Sequence, residues 1–484
     1  MPDQEIKTKK PAAPGGPGQE IIDRRKQVPA REQDPTERVR NFDEVTCTYS
    51  ESEAVKEAKR CMRCKVPQCM EGCPVGIDIR KFVGEIAEGR FEDAANTLKE
   101  KNTLPAICGR VCPQESQCEK LCILRMKWKP VAIGRLERFA AEHEKQGEKS
   151  SIPEWNGGRI AVIGSGPAGL TAAGELAKMG YKVVIYEALH TAGGVLTYGI
   201  PEFRLPKGIV NREVDYVKSL GVEIRLNQIV GKTITIDEML QEYDAIFIGS
   251  GAGLPLFMGI PGENLCGVYS ANEYLTRINL MKAYQFPDHD TPIKKSGKVA
   301  VVGGGNVALD AARTARRLGA HVYLIYRRGE KEMPARREET EHAKQEGIEF
   351  RLLTNPTRVI GDDRGWVKGI EVVSMELTEP DESGRQRPIP VQGSEMVIDV
   401  DTVIIAIGTS PNPLIVRSAP GLKTNKEGGL VVDDCTGMTS REGVFAGGDA
   451  VSGSATVISA MGQAKEAAKA IDEYVKSKRK QAAS

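Results

Sequence analysis

One unit occurs twice in this chain, and it leaves few folds open. Arg159-Ile-Ala-Val-Ile163 reads as a short apolar strand, Gly164-Ser-Gly166-Pro-Ala-Gly169 as a turn, and a helix-like run continues to Lys178 before a strand at Lys182–Tyr186. The series returns as a strand from Lys298 to Val302, the turn Gly303-Gly-Gly305-Asn-Val-Ala308, a helix to Leu318 and a strand from His321 to Tyr326. Two strand–turn–helix–strand units predict two doubly wound, parallel-sheet α/β domains.

Each turn has the chemistry of a dinucleotide site. In the first, Gly164 allows the tight turn, Gly166 lets backbone approach a pyrophosphate, and Gly169 lets the helix pack close to the sheet. The free N–H groups of the helix then face the phosphates. Glu187 ends the next strand, where a carboxylate accepts hydrogen bonds from a ribose diol. FAD is favoured over NAD because Gly443-Val-Phe-Ala-Gly-Gly448-Asp449 reads as a second, distant element: a strand ending in Asp, then Gly453 and a helix from about Thr456. Such an Asp can bond a flavin ribityl chain.

The second turn has Ala308 in place of the third glycine, and Tyr326-Arg327-Arg328 where NAD sites place an acid. Paired guanidinium groups suit a 2′-phosphate, so this turn is read as an NADP(H) site. Arg336 and Arg337, on the following loop, are expected to help.

Nine of the 11 cysteines lie between Cys47 and Cys122. Cys61-x2-Cys64-x4-Cys69-x3-Cys73-Pro74 forms one group, and Cys108-x3-Cys112-Pro113-x4-Cys118-x3-Cys122 the other. Four-residue steps share a helix face, and Cys-Pro junctions end helices so that thiolates converge. A C-x2-C start with a Cys-Pro finish is ferredoxin-like, which predicts two [4Fe–4S] clusters. Zinc is the main rival, although only one C-x2-C pair fits it. Cys47, Cys266 and Cys435 are isolated and read as small buried hydrophobes.

Around these motifs, residues 1–40 mix Pro, Gly, Lys and Asp and are expected to be flexible to about Val28. Residues 41–150 form a helical domain, in which Ile79, Phe82, Val83 and Ile86 share one helix face, and Gln146–Ser151 is a linker. The flavin domain is expected over 151–270 and 409–484, with the NADP(H) domain over 271–408. With 67 basic and 66 acidic side chains, a nucleic-acid footprint is disfavoured. No apolar run approaches the roughly 20 residues of a membrane span, and the N-terminus has no secretory apolar core. These features point to the cytosol.

Together the motifs resemble the small (β) subunit of NADPH-dependent glutamate synthase and its relatives. Those relatives are the large subunit of NADH-dependent reduced ferredoxin:NADP oxidoreductase, the sulfide dehydrogenase α-subunit and the N-terminal half of dihydropyrimidine dehydrogenase. The resemblance runs from about Arg38 onward and is most specific in Leu104–Pro113, Gly199-Ile-Pro-Glu-Phe-Arg-Leu-Pro206 and Thr456-Val-Ile-Ser-Ala-Met-Gly462. It implies flavin contacts at Pro167, Ala168, Gly194, Gly448, Asp449, Thr456 and Val457, and nucleotide contacts at Asn306 and Val307. It also implies one cluster on Cys61, Cys64, Cys69 and Cys122 and another on Cys73, Cys112 and Cys118, with Glu137 or Cys108 as its fourth ligand. The implied activity is an NADP(H)-dependent flavin iron–sulfur oxidoreductase without a catalytic histidine. Its electrons would pass to a partner, either a glutamate synthase large subunit or a small flavin/[2Fe–2S] subunit. Leu275–Tyr284 and Thr291-Pro292 look more like the ferredoxin:NADP and sulfide dehydrogenase branch.

Overall fold

The computed structural model describes residues 23–145, 152–380 and 386–483. The expected Gln146–Ser151 linker and residues 1–22 lie outside them. The cysteine part is helical. Ile79–Ala87 starts where Asp78 accepts the Lys81 N–H at 2.9 Å, and it buries Ile79, Phe82, Val83 and Ile86 as their spacing predicts. Burying a side chain such as Phe82 is worth about 1.5–3 kcal/mol. Pro105–Val111 and Ile133–Glu142 pack together; a Cβ on Gly109 would lie 2.5 Å from the Arg138 nitrogen, so only glycine permits that approach.

Beyond the cysteine part, two parallel five-stranded sheets share one topology. In the first, the order is Val444–Ala446, Ala245–Ile248, Arg159–Ile163, Lys182–Tyr186, Glu223–Arg225. In the second it is Val268–Ser270, Thr402–Ile405, Lys298–Val302, His321–Tyr326, Glu349–Leu352. Both glycine turns therefore leave the C-terminal end of a central strand, where α/β sheets open a crevice. One boundary needs correction: Val268–Ser270 pairs with Thr402–Ile405, so the change of domain falls before residue 268, not after 270. The chain crosses between domains at an antiparallel ladder of Leu254–Pro255 with Thr409–Ser410. A separate antiparallel sheet built on Thr354–Gly361 and Val367–Leu377 interrupts the second domain, and the glycine motifs gave no sign of it.

The expected flexibility to about Val28, and of residues 1–40 generally, is not borne out where those residues are described. The Val28 N–H donates to Glu57 at 2.7 Å and its carbonyl accepts the Tyr49 hydroxyl at 2.6 Å. Arg38 is buried in the nucleotide domain, where its Nε donates to Glu346 at 2.9 Å. Glu346 also accepts from Arg313 at 2.7 Å and from Arg317 at 2.7 Å. From the first α/β domain, Phe203 puts its ring 3.8 Å from the Arg317 guanidinium, while Arg204 donates to Asp310 at 2.6 Å. The Gly199–Pro206 segment is thus a clamp between the α/β domains, with the N-terminal segment bound into the same cluster of charges. Buried pairs of this kind fix a unique arrangement more surely than they add net stability.

Candidate functional site

The first glycine turn is built around three backbone demands. Gly164 has φ +93°, and a Cβ there would sit 2.6 Å from the Gly249 carbonyl; one on Gly169 would sit 1.8 Å from the Gly164 carbonyl. Gly166 caps Pro167–Lys178 without any side-chain bond, and a Cβ on it would meet nothing within 4 Å. No side chain caps the first N–H groups of that helix, as an anion site requires. Pro167 occupies the first turn, where its missing N–H costs nothing. Gly194, at φ +54°, backs the turn so closely that a Cβ on it would sit 2.8 Å from Gly166 Cα, and one on Gly448 would sit 2.9 Å from the Ala168 Cβ. The two distant glycine motifs thus meet.

Glu187 is buried and braces this turn: one carboxylate oxygen accepts the Ser165 N–H at 2.9 Å and its hydroxyl at 2.5 Å, the other the Leu189 N–H at 2.8 Å. Asp449 begins the one-turn helix Asp449–Ser452; the strand before it ends at Ala446, three residues earlier than expected. Burial raises its carboxyl, and acceptance of the Ala455 N–H at 3.1 Å opposes that. Thr456 caps the helix Val457–Ala483 by accepting the Ser459 N–H at 3.2 Å. Gln463, about two helical turns on from Thr456, accepts the Gly448 N–H at 2.7 Å. Gly169→Ala is expected to yield folded protein that purifies without FAD absorbance; retention of a full complement of flavin would contradict the cradle assignment.

At the second turn, Gly303 has φ +145°, and its Cβ would lie 2.3 Å from the Ala406 carbonyl. Tyr326 covers Gly304, and Ala308 is fully buried where the third glycine usually sits. Gly305 caps Asn306–Arg317 without a side-chain bond. Val307 is exposed, as is Arg327; Arg328 is half-buried with its Nε unpartnered. Both guanidinium groups stand near Tyr326, whose hydroxyl burial pushes up and these charges pull down. Arg336 departs from expectation. Its guanidinium donates to the Arg110 carbonyl at 2.8 Å and to Gln114 at 3.1 Å, tying the nucleotide domain to the cysteine domain, while its backbone N–H meets Asn306. Arg337 is exposed, and its N–H meets Glu115.

The cysteines regroup across the two sequence motifs. Burial pushes Cys69 up to about 12, helped by its neighbours Cys122, Cys61 and Cys64. The other set brings Cys73, Cys112 and Cys118 around Glu137 at one small pocket that Ile458 also lines. Cys108 is buried beside this set but does not line the cavity; its Sγ lies 3.6 Å from Met461 Sδ. Burial pushes Glu137 up to about 8, against a 2.7 Å hydrogen bond from Asn102. Cys118 and Cys122 do not share a helix face: they flank the 3₁₀ turn Glu119–Leu121, which sends each to a different set. Cys47, Cys266 and Cys435 are exposed, contrary to the buried role expected of them. Asn102 belongs to no spaced motif, so nothing in the sequence marks its contact, whereas Gln463 directly follows the Thr456–Gly462 motif.

A glycine cradle for each of two nucleotides, beside two cysteine sets, defines the class: a pyridine-nucleotide flavoprotein with an iron–sulfur domain. Residues 158–469 match the pyridine nucleotide-disulphide oxidoreductase family, and residues 38–149 match dihydropyrimidine dehydrogenase domain II, 4Fe–4S cluster. The chain belongs to the glutamate synthase small-chain family. It is 37% identical to the glutamate synthase [NADPH] small chain of Halomonas elongata, over 94% of this chain and 98% of that one. It is 39% identical to the NADP(+)-dependent formate dehydrogenase subunit beta of Moorella thermoacetica, covering 84% of this chain but 60% of that longer one. The solved structure of Mycobacterium tuberculosis FprA in complex with NADPH shares the α/β fold, with TM-score 0.57 and 20% identity over 67% of this chain and 86% of that one. The chain is therefore an NADP-dependent flavin iron–sulfur oxidoreductase using FAD and 4Fe–4S clusters. No helix among the described residues is long and apolar enough to cross a membrane.

Proposed function

We propose that this chain is the electron-input subunit of a glutamate synthase-type assembly in the cytosol, oxidising NADPH and delivering electrons to a partner subunit for glutamate synthesis. One observation carries the reading. The helix Val457–Ala483 starts at the Gly448–Asp449 turn and, within its first two turns, touches the cysteine domain through Ile458, Met461 and Gly462. Bound in these sites, FAD would accept a hydride from NADPH and the clusters would carry electrons singly. The residues supply position: Gly164, Gly166 and Gly169 cradle the flavin nucleotide's pyrophosphate, Glu187 holds the turn, and Asp449 accepts from the ribityl chain. Gly303, Gly305, Asn306 and Val307 form the second cradle, and Arg327 and Arg328 grip the 2′-phosphate.

Cys61, Cys64, Cys69 and Cys122 take the first cluster; Cys73, Cys112, Cys118 and Glu137 take the second. Cys108 stays a thiol. Three cysteines and Glu137 line one pocket from which Cys108 is absent, which supports that choice, and this set leads outward to the half-buried first. Anaerobic NADPH is expected to bleach the flavin absorbance of the purified protein and then raise cluster signals in electron paramagnetic resonance. A flavin spectrum indifferent to NADPH would reject the proposal. Co-purification of a large amidotransferase chain would support the glutamate synthase assignment, and a small flavin/[2Fe–2S] chain the ferredoxin:NADP or sulfide dehydrogenase alternative.

A further inference from the structure

The first cysteine set is surrounded by surface of unusual composition. Met62 and Val66 interleave with Cys61 and Cys64, and Leu121, Ile123, Met126 and Trp128 bracket Cys122. All six apolar side chains are exposed, Val66 by 74% and Met126 by 84%. The stretches are neighbours, since Cys122 faces both Cys61 and Cys69. Isolated exposed apolar residues need no explanation, but six around one half-buried cysteine set do.

Charge is as skewed as hydropathy. Residues 59–70 and 120–136 contain no Asp or Glu, although acids and bases balance over the chain, 66 against 67. Lys65, Lys120, Arg125, Lys127 and Lys129 are exposed. Arg125 donates to the Lys120 carbonyl, and none of these lysines meets a carboxylate among the described residues. An apolar centre with a basic rim has the anatomy of a protein interface that selects an acidic counterpart.

We propose that this face, residues 62–66 with 120–129, docks a redox partner protein whose matching surface is acidic. The inference rests on the proposed function, which makes the first cysteine set the electron outlet. Two other occupants fit less well. The described chain begins beside the face, as the Lys129 N–H meets the Arg25 carbonyl, but residues 1–22 carry three acids and three bases and offer no net countercharge. A second copy meeting by a two-fold axis would set the basic rim against itself.

Zero-length carbodiimide coupling, which joins lysine amines to carboxylates, tests this on the native complex purified through a tag. Links from Lys65, Lys120, Lys127 or Lys129 to Asp or Glu of a partner chain are expected. The variant Lys127→Glu with Lys129→Glu should bind that purified partner at least tenfold more weakly at low salt and lose most of its salt dependence, while NADPH still bleaches its flavin. Unaltered binding by the variant overturns the proposal. So do links from these lysines to Asp3, Glu5 or Glu20 of the same chain or to a second copy, partner links that lie only elsewhere, or a holoenzyme that purifies alone at low salt. If NADPH fails to bleach the wild-type flavin, the proposed function fails instead, whatever the coupling shows.

Discussion

Alanine at both Arg327 and Arg328 is expected to raise the KM for NADPH about 100-fold and leave that for NADH within about threefold. Hydrogen bonds to charged groups contribute about 1.5–3 kcal/mol each, so removing two of them together exceeds the roughly 2.8 kcal/mol that a 100-fold change represents. NADH has no 2′-phosphate, so it loses nothing there. The position supports the reading: Arg327 is exposed and Arg328 half-buried beside Tyr326, at the end of the strand that follows the glycine turn. Steady-state kinetics with both nucleotides and an artificial acceptor give the answer. Equal changes in the two KM values would mean that the arginines are only a solvated strand end.

Glu346→Ala is expected to be the most destabilising single change in the nucleotide domain. It leaves Arg38, Arg313 and Arg317, all buried, without their shared carboxylate. Breaking a buried ion pair from one side costs about 3–5 kcal/mol, which corresponds to a melting temperature lower by roughly 10 °C for a domain of this size. Glu346→Gln should recover part of the loss by accepting one guanidinium. A melting curve that moves by less than about 2 °C would show that the cluster is dispensable. The same residue sets an acid limit. Burial alone would raise its carboxyl, but Arg313 and Arg317 outweigh burial and hold it at about 2. The unfolded chain, titrating near 4.3, then binds more protons than the folded one, so this stability is complete above about pH 5 and drains away as pH falls toward 2.

The glycine turns, their strands and the ionic character of Arg327 and Arg328 were legible because each is a local pattern with one physical cause. Gly169 must be glycine because a carbonyl lies where its Cβ would be. What escaped depends on distant chain. Arg336 looks like one more phosphate ligand beside Arg337, and only the placement of Arg110 and Gln114 turns it toward the cysteine domain. Val268–Ser270 carries no mark of the sheet it joins, because three residues have too short a period to reveal a partner. Glu137 could be proposed by resemblance, but its hydrogen bond from Asn102 joins residues 35 positions apart. The exposure of Cys266 and Cys435 likewise follows from where their loops fall, which composition does not encode.

The helix Val457–Ala483 also works as a ruler. Gly462 lies so close to the cysteine domain that a Cβ on it would sit 2.8 Å from the Pro74 carbonyl. Helical backbone rises about 1.5 Å per residue, which puts this contact about 7 Å along the axis from Val457. One continuous rod therefore sets the spacing between the flavin turn and the cysteine domain. Inserting or deleting one residue between Val457 and Gly462 would therefore be expected to shift that interval by about 1.5 Å.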